Sequence, residues 1–180
     1  MMDIITAPNT ILNTPSSIIE DPTDPAIKEL AHEMAHIMYD TNGCGLAAPQ
    51  LGQNIRLVVA DCQWSDTGKH DALYMLNPQI ITLSDETYTD FEGCLSVPGI
   101  VIKIERALEA EVRYTDLKGR ERTVGASGLW ARCFQHEIDH LDGITMLDRI
   151  RGAKKIQAIG AYTKALDKGV KPGDEPLYSI

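Results

Sequence analysis

The sequence predicts an α+β fold: short, mainly antiparallel sheets around a central helix carrying an HExxH motif, with an N-terminal and a C-terminal helix besides. Three observations predict it. Helical periodicity of apolar residues is confined to 25–41 and to the stretch beyond 128. Between them lie short apolar runs and one hairpin signal. That order, strands together and the key helix late, is the pattern of an α+β domain rather than of a βαβ array.

Each element has its own signal. Residues 10–25 read as irregular, with Pro15, Pro22 and Pro25 among Ser, Thr and Asp. Asp24-Pro25 then reads as an N-cap followed by a first-turn proline. Ile27, Leu30, Ala31, Met34 and Met38 follow at helical spacing, and Asn42-Gly43 supplies a stop, so a helix is expected over about 25–41. A loop rich in small residues comes next, at 43–50. Three strands are expected at 55–60, 73–76 and 79–83. Residues 109–115 alternate, and Asp116-Leu117-Lys118-Gly119 turns them into 120–124, a hairpin. Ser127-Gly128 opens a helix over about 129–142, closed by Gly143. A last helical stretch covers about 148–168, with Gly152 and Gly160 inside it.

Composition excludes several classes. Apolar residues make up 43% and charged residues 24% of 180, which is ordinary for a globular domain and unlike a disordered chain. Lys plus Arg is 17 and Asp plus Glu is 26, for a net charge of −9. Such a body is expected to repel DNA and anionic membranes. Met1-Met2-Asp3-Ile4-Ile5-Thr6-Ala7-Pro8 has no basic region ahead of an apolar stretch, so no secretory signal is expected. No apolar run approaches the ~20 residues that span a bilayer. The expected compartment is the cytoplasm, where the four cysteines would be buried, catalytic or metal-bound rather than bridged.

The HExxH pattern occurs twice, at His32-Glu33-Met34-Ala35-His36 and at His136-Glu137-Ile138-Asp139-His140. Imidazoles at i and i+4 lie one helical turn apart. Both can reach one metal ion, with the carboxylate beside its water. Helical geometry separates the two copies. At about 100° per residue from Ile27, the apolar positions stay within about 60°, while His32 and His36 fall near 140° and 180°, towards solvent. Counted from Leu129, Cys133, His136 and His140 lie within about 40° and share an apolar face, where a metal site can control water. The second copy is therefore the candidate site, and the first a solvated face.

A catalytic metal site wants three protein ligands and one open position. No His follows His140, and Glu175 lies in a Pro/Gly-rich tail, a poor place for a rigid ligand. The better candidate is Cys94 in Glu92-Gly93-Cys94-Leu95-Ser96, just beyond an expected strand. An HExxH endopeptidase would account for His136, Glu137 and His140 but would leave this segment unused.

Three segments together resemble the signature motifs of the peptide deformylase family: Gly43-Cys44-Gly45-Leu46-Ala47-Ala48-Pro49-Gln50, Glu92-Gly93-Cys94-Leu95-Ser96, and Gln135-His136-Glu137-Ile138-Asp139-His140-Leu141-Asp142-Gly143. They stand in the family's order and near its spacing, from the N-terminus to about residue 150. The resemblance implies one divalent metal per chain, held by Cys94, His136 and His140, with water or hydroxide in the fourth position. Fe(II) is the expected native ion, with Zn(II) or another divalent ion also fitting. It implies hydrolysis of the formyl group from N-formylmethionine on newly made polypeptides, releasing formate. In that reading Glu137 is general base and acid, and Gln50 and the backbone N–H of Leu95 are oxyanion donors. Gly45 lets the substrate backbone approach, beside a strand-like segment able to pair with an extended peptide. Cys44 and Cys133 are candidates for the methionine pocket, although a buried packing thiol is the ordinary role for both and for Cys62. Glu92 is expected to bond nearby backbone and shape the Cys94 loop, and Asp139 to orient a ligand or the helix. Many relatives carry an Arg near Val101, which this chain lacks; that bears on preferences beyond formylmethionine.

The expected organisation is one catalytic domain over 1–150, with a basic C-terminal helix and tail over 151–180 packed on it or extending from it. Residues 149–171 hold seven basic residues (Arg149, Arg151, Lys154, Lys155, Lys164, Lys168 and Lys171) and one acid, Asp167. That is a net +6 on a remainder of −15. A cationic helix on an acidic body suits a polyanion, and the resemblance suggests the ribosome near the exit of the nascent chain.

Overall fold

A computed structural model describes residues 2–180. Eight strands run β1 Gly45–Ala47, β2 Leu57–Ala60, β3 Leu73–Leu83, β4 Thr87–Gly93, β5 Ile100–Ala107, β6 Glu109–Thr115, β7 Glu121–Ser127 and β8 Tyr178–Ser179. Four helices accompany them: α1 Pro25–Asp40, α2 Trp64–Thr67, α3 Gly128–Leu141 and α4 Gly152–Asp167. The class is α+β. One sheet has the order β1-β2-β3-β6-β7, antiparallel throughout. The other has the order β4-β5-β8, with β8 parallel to β5. Helix α3 packs on β1, β2, β6 and β7 of the first sheet and on β5 of the second. No helix among the described residues is long and apolar enough to cross a membrane.

Helix α1 forms as expected. The Asp24 carboxylate accepts from the Ala26 N–H at 2.8 Å, and Pro25 fills the first position, where no N–H is needed. Ala31, Met34, Ile37 and Met38 are buried, while His32 and His36 are exposed. Helix α3 is different. Its residues from Ala131 to Leu141 are all buried, so it is covered on every side, and Leu129, taken above as the centre of its apolar face, is 54% exposed. The His136/His140 pair is buried because α3 lies between two sheets, not because it sits on a stripe defined by Leu129.

Two expected strands, 73–76 and 79–83, are one. Strand β3 runs through Asn77-Pro78 on a register shift. Pro78 has no N–H for the ladder. Asn77 takes φ +51 and exchanges two hydrogen bonds with the Ile19 backbone, at 2.9 and 2.8 Å. Strand β5 was not expected. Its signal is the alternation of buried Ile100, Ile102 and Ile104 with exposed Lys103 and Glu105. The expected helix over 148–168 begins only at Gly152, after a 3-10 turn at Met146–Asp148. Helix α4 buries Ala158, Ala161, Tyr162 and Ala165, and the Tyr162 hydroxyl donates to the Ala7 carbonyl at 2.6 Å.

Candidate active site and metal centre

Strand β4 ends at Gly93, which leaves Cys94 on the turn facing α3. The donor atoms of Cys94, His136 and His140 lie within 4.8 Å of one another. Cys94 Sγ is 3.3 Å from His140 Nε2. Helix α3 is pinned in this position by Gln135, whose amide exchanges hydrogen bonds with both backbone groups of Ala107 at the end of β5, at 3.1 and 3.0 Å.

The imidazole of His136 is oriented from behind. Its Nδ1–H donates to Glu92 Oε2 at 2.9 Å, which turns Nε2 towards Cys94. Glu92 does not bond nearby backbone, as the sequence suggested. Its carboxylate is forked by Arg106, at 2.8 and 3.0 Å, and also accepts from Arg132 at 2.8 Å. Arg106 reaches on to Asp139 at 2.6 Å, and Arg149 donates to the same Asp139 carboxylate. Two buried arginines thus bind the metal-facing helix to β4 and β5. Burial pushes the Glu92 carboxyl up, but the His136 and Arg106 hydrogen bonds outweigh it and hold it well below the usual carboxylate range.

Glu137 is buried with Oε2 unpartnered among the described residues. Burial pushes its carboxyl up to about 8. Gly45 lies against it. A Cβ there would stand 2.6 Å from Glu137 Oε1 and 2.8 Å from Cys133 Sγ. The missing side chain at Gly45 therefore makes room for α3 and its glutamate. Gln50 is 1% exposed, and its Oε1 accepts from the Ala47 N–H at 2.8 Å. That bond fixes the amide so that Nε2 faces Ser96 Oγ at 3.2 Å and Cys94 Sγ at 3.7 Å.

Gly45, Gln50, Cys94, His136 and Glu137 line a cavity of about 330 Å³, with Cys44, Leu95 and Cys133 also on its walls. Sequence reasoning missed one wall. Residues 173–176 of the C-terminal tail also line it, because β8 pairs with β5 at Ile100–Tyr178 and Val101–Ser179. Glu175 stands on this rim, apart from the three donors.

The donor set fits a cation. Burial pushes the His136 ring down, yet the Cys94 sulfur and the Glu92 carboxylate outweigh it and raise it well above the usual histidine range. Burial keeps His140 neutral, with a lone pair to give. A metal ion held by these donors would supply the positive charge that the buried sulfur and carboxylate call for. Glu137, with its unpartnered oxygen, lines the same cavity.

The same arrangement of chain recurs in known proteins. The family model described as polypeptide deformylase matches residues 1–156. A peptide deformylase of Rhodopseudomonas palustris (strain BisB5) is 38% identical over 95% of this chain and 98% of its own length. One from Agrobacterium fabrum is 39% identical over 90% of this chain and 94% of its own. Among solved structures, a peptide deformylase from Legionella pneumophila superposes with a TM-score of 0.86 at 31% identity, covering 94% of this chain and 97% of that one. That of Synechococcus elongatus in complex with actinonin gives 0.80 at 33% identity, covering 97% and 90%. Sequence and fold agree: the chain belongs to the polypeptide deformylase family.

Proposed function

We propose that this chain hydrolyses the formyl group from N-formylmethionine at the amino terminus of nascent polypeptides, releasing formate and a free amine. The observation that carries the reading is the convergence of the Cys94, His136 and His140 donors within 4.8 Å, beside a buried glutamate with a free oxygen. One thiolate and two imidazoles suit Fe(II) and Zn(II) alike, and the family resemblance implies Fe(II) as the native ion. A metal held there supplies a water activated near neutral pH and polarises the formyl oxygen.

The chain's own residues do the rest. Glu137 takes the proton of the attacking water and returns it to the leaving nitrogen. The Gln50 Nε2–H, already aimed by the bond from Ala47, and the Leu95 backbone N–H stabilise the oxyanion. The methionine side chain rests against Cys44, Leu95 and Cys133. Strand β1 is the edge of its sheet and offers an extended peptide a ladder to join. We read the compartment as the cytoplasm, which suits nascent-chain substrates and four free cysteines. The deciding experiment is formate release from a formyl-Met peptide by protein purified without oxygen, with metal analysis alongside. Metal-loaded protein that releases no formate overturns the reading.

We also infer that the exposed cations of the C-terminal segment dock on ribosomal RNA. Arg149 is engaged by Asp139, Lys155 by Asp148 and Lys154 by the Lys103 carbonyl, which leaves Arg151, Lys164, Lys168 and Lys171 as the exposed group. Because α4 fills the core with Tyr162 and three alanines, truncation is a poor test. Charge reversal at Arg151 and Lys164 is the better one: ribosome co-sedimentation should weaken and lose part of its salt dependence. Unchanged sedimentation rules the docking out.

A further inference from the structure

Apart from the Cys94, His136 and His140 donors, the fold gathers a second group of donor atoms, all of them sulfur. The Sγ atoms of Cys44, Cys62 and Cys133 lie within 4.8 Å of one another, and all three thiols are free. Three separate elements deliver them. Cys44 directly precedes β1, Cys62 lies two residues past the end of β2, and Cys133 sits in α3. The β1–β2 ladder extends past its last pair, with the Asp61 N–H donating to the Cys44 carbonyl at 2.9 Å. The thiols of Cys133 and Cys62 point at that same carbonyl, at 3.5 and 3.9 Å. Cys62 and Cys133 are 7% and 4% exposed, while Cys44 is half-buried.

We propose that Cys44, Cys62 and Cys133 form a second site, for one soft thiophilic ion of the class of trivalent arsenic. The donors select softness, because the cluster contains neither imidazole nor carboxylate. Ion–sulfur bonds of about 2.3 Å, at the near-right angles of pyramidal trivalent arsenic, set the sulfurs about 3.4 Å apart, so three sulfurs that lie within 4.8 Å of one another need only a small closure. Charge selects the valence. Three thiolates leave two negative charges around a monovalent ion, one around a divalent ion and none around a trivalent one. A buried site beside the Glu137 carboxyl favours the neutral adduct. Arsenous acid meets the balance without oxidation or reduction: three S–H and three As–O bonds break, three As–S and three O–H bonds form, and three waters leave. Cys44 and Cys133 line the cavity, which gives the ion its way in. The Cys94 cluster, with one thiol, cannot make three such bonds.

The test uses the metal-loaded protein, treated with arsenite, freed of excess and weighed intact. The expected product is one adduct heavier by one arsenic less three hydrogens. Alkylation mapping of the same wild-type sample should find Cys44, Cys62 and Cys133 protected together. Cys62→Ser removes the one sulfur that does not line the cavity. It should abolish the three-bond adduct and leave formate release by untreated protein unchanged. No adduct on wild-type protein, protection of fewer than these three thiols, or the same adduct on Cys62→Ser overturns the proposal. Neither the mass nor the mapping depends on deformylation, so a failure here is distinct from a failure of the proposed activity.

Discussion

His136 and Glu92 share a hydrogen bond of 2.9 Å, and Glu92 is in turn the hub of two buried arginines. One carboxylate therefore both aims a metal-facing imidazole and neutralises the guanidinium groups of Arg106 and Arg132. Glu92→Gln keeps the shape and removes the charge. Breaking a buried ion pair on one side costs ~3–5 kcal/mol, and loss of an imidazole's outer partner costs ~10–100-fold in metal affinity. Urea denaturation and metal retention after gel filtration should both register the loss. Wild-type stability with wild-type metal content would place the organising role elsewhere.

Glu137→Gln separates metal binding from proton transfer. The amide fills the same space against Gly45 and touches none of the three donors' bonding atoms, so metal content should stay at one per chain. Formate release should fall by ~10²–10⁴, the range of a lost general acid–base group. Turnover at the wild-type rate would remove Glu137 from the reaction.

Gly45→Ala tests the packing of α3 on β1. The added methyl meets the Glu137 carboxylate at 2.6 Å and the Cys133 sulfur at 2.8 Å, both on a buried helix with little room to retreat. Overpacking of this kind costs ~1–3 kcal/mol. Activity should fall further than stability, because the displaced atom is the Glu137 oxygen. A fully active variant would show that α3 can shift without consequence.

The residues themselves make much of this arrangement legible. The i, i+4 imidazoles of His136 and His140 need only helical geometry, and the exposure of His32 and His36 follows from the apolar stripe of α1. The cap at Asp24-Pro25 marks the start of α1 to the residue. What escapes a reading of the chain is long-range. Glu92 sits 14 residues from Arg106 and 40 from Arg132, and nothing local pairs them. Leu129 looks like the centre of an apolar face because a helix buried between two sheets has no single face. The tail that walls the cavity is held by two residues of strand, too short to carry a period, and their partner β5 decides its place. The three-thiol cluster likewise joins positions 18 and 89 apart along the chain.

Asp61 offers a pH test away from the metal donors. Its buried carboxylate accepts from the Tyr39 hydroxyl at 2.8 Å, the Asp71 N–H at 2.9 Å and the Gln63 N–H at 3.1 Å. Burial pushes this carboxyl up, but the bonds from Asp71, Tyr39 and Gln63 outweigh it and leave it below its ordinary value. A group depressed on folding stabilises the protein above its unfolded pKa, and that contribution is lost as the pH falls through the folded one. Asp61→Asn should therefore cost ~1–3 kcal/mol at pH 7. The gap to wild type should close as the pH drops below the ordinary aspartate value of about 3.9. Urea unfolding of both proteins across that range reads the difference directly. A gap that stays constant into acid would mean that shape alone, and not the Asp61 charge, holds the turn that carries Cys62.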